Sequence, residues 1–277
     1  MPYESTGNGS WTSESTWMHG DVWDIEDIAN VSEHAIVKIS SDVTVNDDIK
    51  QLGLVIDSGA TLTINGALTV NTNLTTNNGL TLNSGSSIIV NGTSTGNLTY
   101  KRNLPNGFVY YNTASPVLGE TVENFIATNN PRLGSSGNVG LYYYNNNGGG
   151  FAGTGYIFYT PTSTGTINSG QGYGVQLASG SDISFTGTMP VVDASITIGT
   201  GSLDNFALVG NPFPSYLPIN DNAVTTNNIL TNNTALLSEE TAWFWDNTIN
   251  DYVAINNGSP ARYLAPAQGF FVEASST

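Results

Sequence analysis

The chain has 277 residues and sets 6 Lys and Arg against 22 Asp and Glu, a formal net charge of −16. That balance repels phosphate backbones and anionic lipid, which argues against nucleic acid and acidic membrane surfaces as partners. The absence of cysteine excludes disulfide staples, thiolate metal sites and a cysteine nucleophile, while 39% hydrophobic and 10% aromatic residues are enough to build cores.

The opening MPYESTGNGS lacks the basic region and apolar run of a signal peptide. No stretch nears the roughly 18 apolar residues that suggest a membrane-spanning helix, so no membrane insertion is expected. The chain therefore reads as a mature fragment or a piece of something longer. Residues 1–34 form the first expected region. Within Gly7–Ile28, Trp11, Trp17 and Trp23 recur at a spacing that fits neither helix nor strand. They are expected to cap the exposed end of a stacked fold, because an uncovered sheet edge aggregates. The sharper alternative makes Trp17 and Trp23 a sugar-stacking platform. His19 and His34 are the only histidines. Neither has a partner motif, and both read as ordinary surface residues.

Residues 35–100 are written in short alternating strands. LVIDSGATLTING (Leu54–Gly66) is echoed by LTLNSGSSIIVNG (Leu80–Gly92), 26 residues later. Alternation with period two marks strands with one buried face, and the Asn/Gly breaks supply turns. Self-similarity at a fixed period points to stacked coils. We expect three to four coils of a parallel β-helix with 26-residue units. Leu54, Ile56, Leu62, Ile64, Leu80, Leu82, Ile88 and Val90 would face inward. Thr61, Thr63, Thr69 and Thr81 would face outward, with Asp57 and Asn83 as neighbours in an Asx ladder. Asp42, Asp47 and Asp48 lie in this region, and Asp21, Asp24, Glu26 and Asp27 before it; both acidic groups are calcium candidates, and for Asp21, Asp24, Glu26 and Asp27 a solvated face is the plainer reading.

From Lys101 the aromatics increase and two segments echo each other. Gly107–Phe125 parallels Asn205–Ile219, as a strand, a turn ending in Pro and an extended stretch. LYYYNN (Leu141–Asn146) parallels AWFWDN (Ala242–Asn247), and GQGYGVQLAS (Gly170–Ser179) parallels AQGFFVEASS (Ala267–Ser276). Two β-sandwich-like units are expected, 101–190 and 191–277, without a convincing helix. Tyr142/Tyr144 and Trp243/Trp245 alternate with Tyr143 and Phe244, giving each strand two aromatic faces. Gly170–Tyr173 reads as a tight turn entering a core strand and not as a phosphate loop. WDNTINDY places Asp246, Asn250 and Asp251 near the spacing of a calcium loop, but without its Gly and distal Glu; a polar hairpin turn is the plainer alternative.

Three stretches carry a family resemblance: GNGSWTSESTW with the later GATLTINGALTV, the YKRNL…VYYNTASPV junction, and LVGNPFPS…WFWDN…YLAPAQGFFV. The chain resembles the non-catalytic ectodomain regions of large Bacteroidetes cell-surface proteins exported by type IX secretion. The resemblance implies an extracellular location and an all-β fold, a short right-handed parallel β-helix followed by tandem β-sandwich-like units. It attaches no activity. That family ends in a C-terminal sorting domain, which this sequence does not show before Thr277, as expected of a fragment.

No HExxH or P-loop pattern occurs, and no catalytic residue is assigned. The functional expectation is a structural, adhesive or binding module of a secreted bacterial surface protein, not an enzyme, with a glycan or another surface protein as partner. The alternative is a carbohydrate-binding accessory domain of a secreted polysaccharide-degrading enzyme, using Trp17, Trp23, Trp243 and Trp245. No cofactor is expected beyond calcium at Asp246, Asn250 and Asp251.

Overall fold

The computed structural model describes residues 3–18 and 36–275. The fold is all-β, with 41% strand and 8% helix, and begins as a β-solenoid of about 3 turns. Two compact units emerge from the described residues. One holds the chain up to Arg102 with Val117–Gly119 and Ser184–Asp193; the other holds Asn103–Pro116, Glu120–Ile183 and the remainder from Ala194.

The solenoid starts with β1 (Tyr3–Glu4) and β2 (Gly9–Ser10). Three full coils follow: β3 (Ile36–Ile39), β4 (Val43–Val45) and β5 (Ile49–Gln51); β6 (Gly53–Ile56), β7 (Leu62–Ile64) and β8 (Ala67–Val70); β9 (Leu74–Thr75), β10 (Leu80–Leu82) and β11 (Ser87–Val90). β12 (Ser94–Thr95) and β13 (Asn97–Leu104) open the last turn. Each coil gives one strand to each of three parallel sheets. Leu62 sits between Val43 and Leu80, and Ile64 between Val45 and Leu82, so like residues stack in columns. All eight residues expected to face inward are buried.

The 26-residue register is overturned. Leu54 pairs with Leu74, Leu62 with Leu80 and Leu68 with Ile88, so one coil takes 18 to 20 residues. Leu62 and Ile88 lie in different sheets. The 26-residue offset between the two copies of the phrase is one strand longer than the coil. The phrase repeats because every face of the solenoid uses the same apolar–polar–apolar unit. The ladder also has other members: Asn83 Nδ2 donates to Asn65 Oδ1 at 2.7 Å, and Asn65 Nδ2 to Asn46 Oδ1 at 2.7 Å. Asp57 instead meets Lys38 at 2.9 Å and accepts from Ser40 Oγ at 2.7 Å. Lys38 also reaches Glu4 at 2.9 Å. Hydrogen bonds from Ser40 and Lys38 lower the Asp57 pKa, and those from Lys38 and Ser40 lower that of Glu4; hydrogen bonds to the two carboxylates raise that of Lys38.

The N-terminal segment is a rung and not only a cover. β1 pairs in parallel with β3, and β2 with β4. Trp11 and Trp17 are buried beside it, with ring centroids 4.9 Å apart, edge to face. Residues 19–35, which include Trp23, both histidines and the first acidic cluster, lie outside the described residues. At the other end, Thr99 and Thr186 share a 2.9 Å hydrogen bond where β18 (Ser181–Thr188) follows β13 in the sheet.

The second unit contains two four-stranded antiparallel sheets. The first uses β14 (Tyr110–Ala114), β15 (Leu141–Tyr144), β16 (Tyr156–Phe158) and β17 (Gly172–Gln176), in the order β14-β17-β15-β16. The second uses β19 (Phe206–Gly210), β21 (Thr241–Asp246), β22 (Asp251–Asn256) and β24 (Gly269–Glu273), in the order β19-β24-β21-β22. β20 (Leu217–Pro218) pairs separately with β23 (Tyr263–Leu264). The two four-stranded sheets thus share one connectivity. They meet through reciprocal bridges, Gln171 with Val209 and Gln268 with Thr113. Gly210 N donates to Gly170 O at 2.9 Å, and Ala114 N to Ala267 O at 3.0 Å. Equivalent positions exchange equivalent bonds, as at an isologous interface. The approach needs glycine: a Cβ on Gly172 would lie 2.7 Å from the Val209 carbonyl oxygen, and one on Gly269 2.8 Å from that of Thr113.

Helices were missed by the sequence reading. α1 (Val122–Asn129) falls in the stretch read as extended. Thr121 caps it by accepting from Asn124 N at 3.2 Å, and Asn130 closes it in a left-handed conformation. α2 (Ile229–Asn232) is a single turn capped by Asn228, which buries Leu230. Gly170 has φ +77° and leads into the buried strand β17, the tight turn expected there.

Candidate functional site

Alternation along β15 and β21 divides their rings between two faces. Phe244 points into a core with Phe270, Val272 and Leu264, and stacks on Phe270 at 5.4 Å. Tyr142, Tyr144 and Trp243 turn the other way, towards Leu208 and Phe271. Hairpin register then adds further rings to that face. Tyr156 lies opposite Tyr144, Phe158 opposite Tyr142, and Tyr252 opposite Trp245.

Two clefts open among these rings. The larger, about 410 Å³, is walled by Tyr110, Phe158, Trp245 and Tyr252, with Tyr142 at its base and Phe108 at its rim. The smaller, about 240 Å³, is lined by Tyr144, Tyr156, Phe206, Trp243, Tyr252 and Phe271. Superposing the sheet connectivities equates Tyr110 with Phe206, Tyr142 with Trp243, and Trp245 with Tyr144. The clefts are therefore two copies of one arrangement. The larger adds the amides of Asn112, Asn247 and Asn250; the smaller has rings only.

Trp245 is fixed. Its Nε1 donates to Asn247 Oδ1 at 2.8 Å, Asn247 Nδ2 donates to the Tyr110 carbonyl oxygen at 3.2 Å, and Tyr252 packs edge-on at 5.0 Å. Phe108 is 63% exposed and holds φ +61°, a region a bulky side chain seldom occupies. The Arg132 guanidinium lies 4.8 Å from its ring centroid. Burial raises the pKa of Tyr142 and Tyr252, with smaller contributions from neighbouring tyrosines; burial also raises that of Tyr110, which Arg132 partly offsets. These three phenols are neutral at ordinary pH.

The chain belongs to the DUF8693 family, a domain of unknown function, which it matches over residues 3–277. No curated protein and no solved structure matches it.

In this DUF8693 chain the sequence-derived site residues separate. Trp17 is 5% exposed and donates its indole N–H to the Trp11 carbonyl oxygen at 2.7 Å, so it leaves no ring face for a sugar. Trp23 lies outside the described residues. Trp243 and Trp245, both half-buried, fall in the two different clefts. Asp246, Asn250 and Asp251 share the β21–β22 hairpin. Asp246 Oδ1 accepts from both Thr248 N (2.7 Å) and Thr248 Oγ1 (2.6 Å), which lowers its pKa and closes the turn on itself. Asp42 and Asp48 are likewise used within the solenoid, accepting from Thr61 Oγ1 and Ala67 N, each at 2.8 Å. Among the described residues no group of three or more His, Asp or Glu is placed to hold a metal ion, and no helix is long and apolar enough to cross a membrane.

Tyr110, Phe158, Tyr252 and Phe108 were missed from sequence. Pairing LYYYNN with AWFWDN located the central strand of each sheet. Carrying the alternation into the following strands, YIF and DYVAIN, would have found Phe158 and Tyr252.

Proposed function

We propose that this DUF8693 chain is a non-catalytic binding module of an exported bacterial surface protein, as its resemblance to Bacteroidetes type IX ectodomains implies. The observation that carries the reading is the larger cleft. Partly open rings are held in fixed orientation by hydrogen bonds of the frame itself, which is how a binding surface is preorganised. The solenoid suits a supporting role, since its outward Thr and Asn side chains bond to the next coil. The alternative, a carbohydrate-binding accessory domain of a polysaccharide-degrading enzyme, is favoured by the half-buried Trp245 in that cleft; Trp17 no longer supports it. Calcium at the β21–β22 hairpin is not needed for either reading.

The test is turnover. The purified chain is incubated with neutral and acidic plant and algal polysaccharides, and newly formed reducing ends and unsaturated products are measured. The proposal predicts none above a heat-denatured control. Product formation that is lost on replacing an Asp or Glu pair would make the chain an enzyme and end this reading.

A further inference from the structure

The larger aromatic cleft differs from its copy in three ways, and each difference makes it more suited to a ligand. The first is its floor. Position 174 is glycine, where the equivalent residue of the second sheet is Phe271. The Tyr142 ring lies across Gly174, in the space a Cβ would take. In the copy, Phe271 fills the floor and packs on Tyr144 and Tyr252 at 5.2 and 5.8 Å. The volumes follow, about 410 Å³ against about 240 Å³. Only the first falls in the range of roughly 300–1,000 Å³ usual for small-molecule sites.

The second difference is polarity. The larger cleft combines flat rings with amides and contains no charged side chain in its lining. The third is the rim. Phe108 stands exposed with positive φ where the copy carries Asp204, whose carboxylate accepts from the Tyr144 hydroxyl. Strained, exposed residues of this kind concentrate at ligand clamps.

Rings plus neutral amides suit a ligand with an apolar face and a hydroxyl-rich edge. A pyranose offers both: its axial C–H groups lie on a ring and its hydroxyls bond to amides. Charge selects further. With a net charge of −16, an acidic polysaccharide is repelled, and the cation beside the cleft, Arg132, is already engaged, lying over the Phe108 ring and donating to Gln176 Oε1 at 2.9 Å. Resting on the binding-module reading, we propose that the cleft bounded by Phe108, Tyr110, Phe158, Trp245 and Tyr252 is a single binding site for a neutral glycan, and that its copy around Trp243 is closed.

The experiment is isothermal titration of the whole chain with cello-, xylo-, manno- and laminari-oligosaccharides, and with oligogalacturonate as the acidic counterpart. Circular dichroism and thermal melting check each variant. The expected result is saturable binding of at least one neutral probe at a stoichiometry of one. Trp245→Ala and Phe108→Ala should each weaken it at least tenfold; Trp243→Phe should leave it within twofold. Phe108→Ala keeps the test decisive if Trp245→Ala fails to fold, because Phe108 is mostly exposed. Three outcomes overturn the proposal: no neutral probe binding at millimolar concentration, unchanged affinity in Phe108→Ala, or preference for oligogalacturonate. Self-association abolished by Phe108→Ala would also overturn it, by making the cleft a protein-contact surface. Release of reducing ends in the same cells would instead overturn the non-catalytic reading, so the two failures are told apart.

Discussion

The solenoid and the paired sheets solve the same problem, burying one face of a short strand, in opposite ways. In the solenoid each residue stacks on its like: Val43, Leu62, Leu80 and Leu98 form one column, and Asn46, Asn65 and Asn83 another. Stability there is a sum over neighbouring coils. In the second unit unlike residues meet. Two copies of one sheet are joined through bonds that only glycine-close backbones permit, and large rings fill the space between them. The solenoid tolerates variation outside its columns. The paired sheets depend on a few positions and can diverge into an open and a closed cleft.

The largest expected contrast is alkaline. Burial first, then neighbouring groups, raises the pKa of Tyr142, Tyr144, Tyr159 and Tyr252, and that of Tyr173 to about 12. In the unfolded chain tyrosine ionises near pH 10. Above about pH 10 the unfolded state releases protons that the folded state keeps, so stability is complete below that pH and falls as pH rises towards the raised values. All five tyrosines belong to the second unit. Tyrosinate absorbance and near-ultraviolet circular dichroism, followed together from pH 9 upward, should show these phenols ionising only as the aromatic packing is lost. Ionisation of all tyrosines near pH 10 with packing intact would contradict the burial described here.

Next in size is a column mutation. Leu62 is fully buried between two coils, and Leu62→Ala should cost about 3 kcal/mol in denaturant unfolding, from lost transfer energy and the cavity left behind. A loss under about 1 kcal/mol would mean the coil collapses around the gap, contrary to close-packed columns. The column residues were legible in the sequence because alternation survives any choice of register. The coil length was not. All three faces use the same short unit, so sliding the phrase by one strand gives an equally good match, and only the strand pairing decides. Trp17 was ambiguous for a related reason: an isolated tryptophan fits a core or a platform, and its bond to Trp11 settles which. Trp245 was legible through alternation with Phe244. Its partners Tyr110 and Phe158 were not, because they arrive from strands whose register no local pattern fixes. Helix α1 was obscured because Thr121 and Val122 follow a Pro- and Gly-containing stretch that reads as extended.

The reciprocal junction gives a more selective test. Gly172→Ala and Gly269→Ala should each cost about 1–3 kcal/mol, by overpacking against a carbonyl that has little room to move. Similar losses at the two positions would reflect their equivalence. Gly199 is the control, since a Cβ there meets nothing within 4 Å and its φ is not positive. Gly199→Ala should be neutral or stabilising by about 0.4–1 kcal/mol. Equal destabilisation at all three would show that glycine content, and not close approach, matters in this unit.

The smallest effect belongs to the outer ladder of the solenoid, and its size separates ladder from column. Asn65 accepts from Asn83 and donates to Asn46, so Asn65→Ala removes two hydrogen bonds, while Asn83→Ala removes only the bond to Asn65 from this file. Both bonds are exposed, and water replaces much of what is lost. The expected cost for Asn65→Ala is about 0.5–1 kcal/mol, several-fold below Leu62→Ala. Asn83→Ala should cost less than Asn65→Ala. The double variant should then add little to Asn65→Ala beyond any Asn83 contribution outside the shared bond, because that bond is already gone, and the deviation from additivity measures it. If the two losses instead summed fully, each asparagine would be serving only its own turn, and the stacked file would contribute nothing as a ladder.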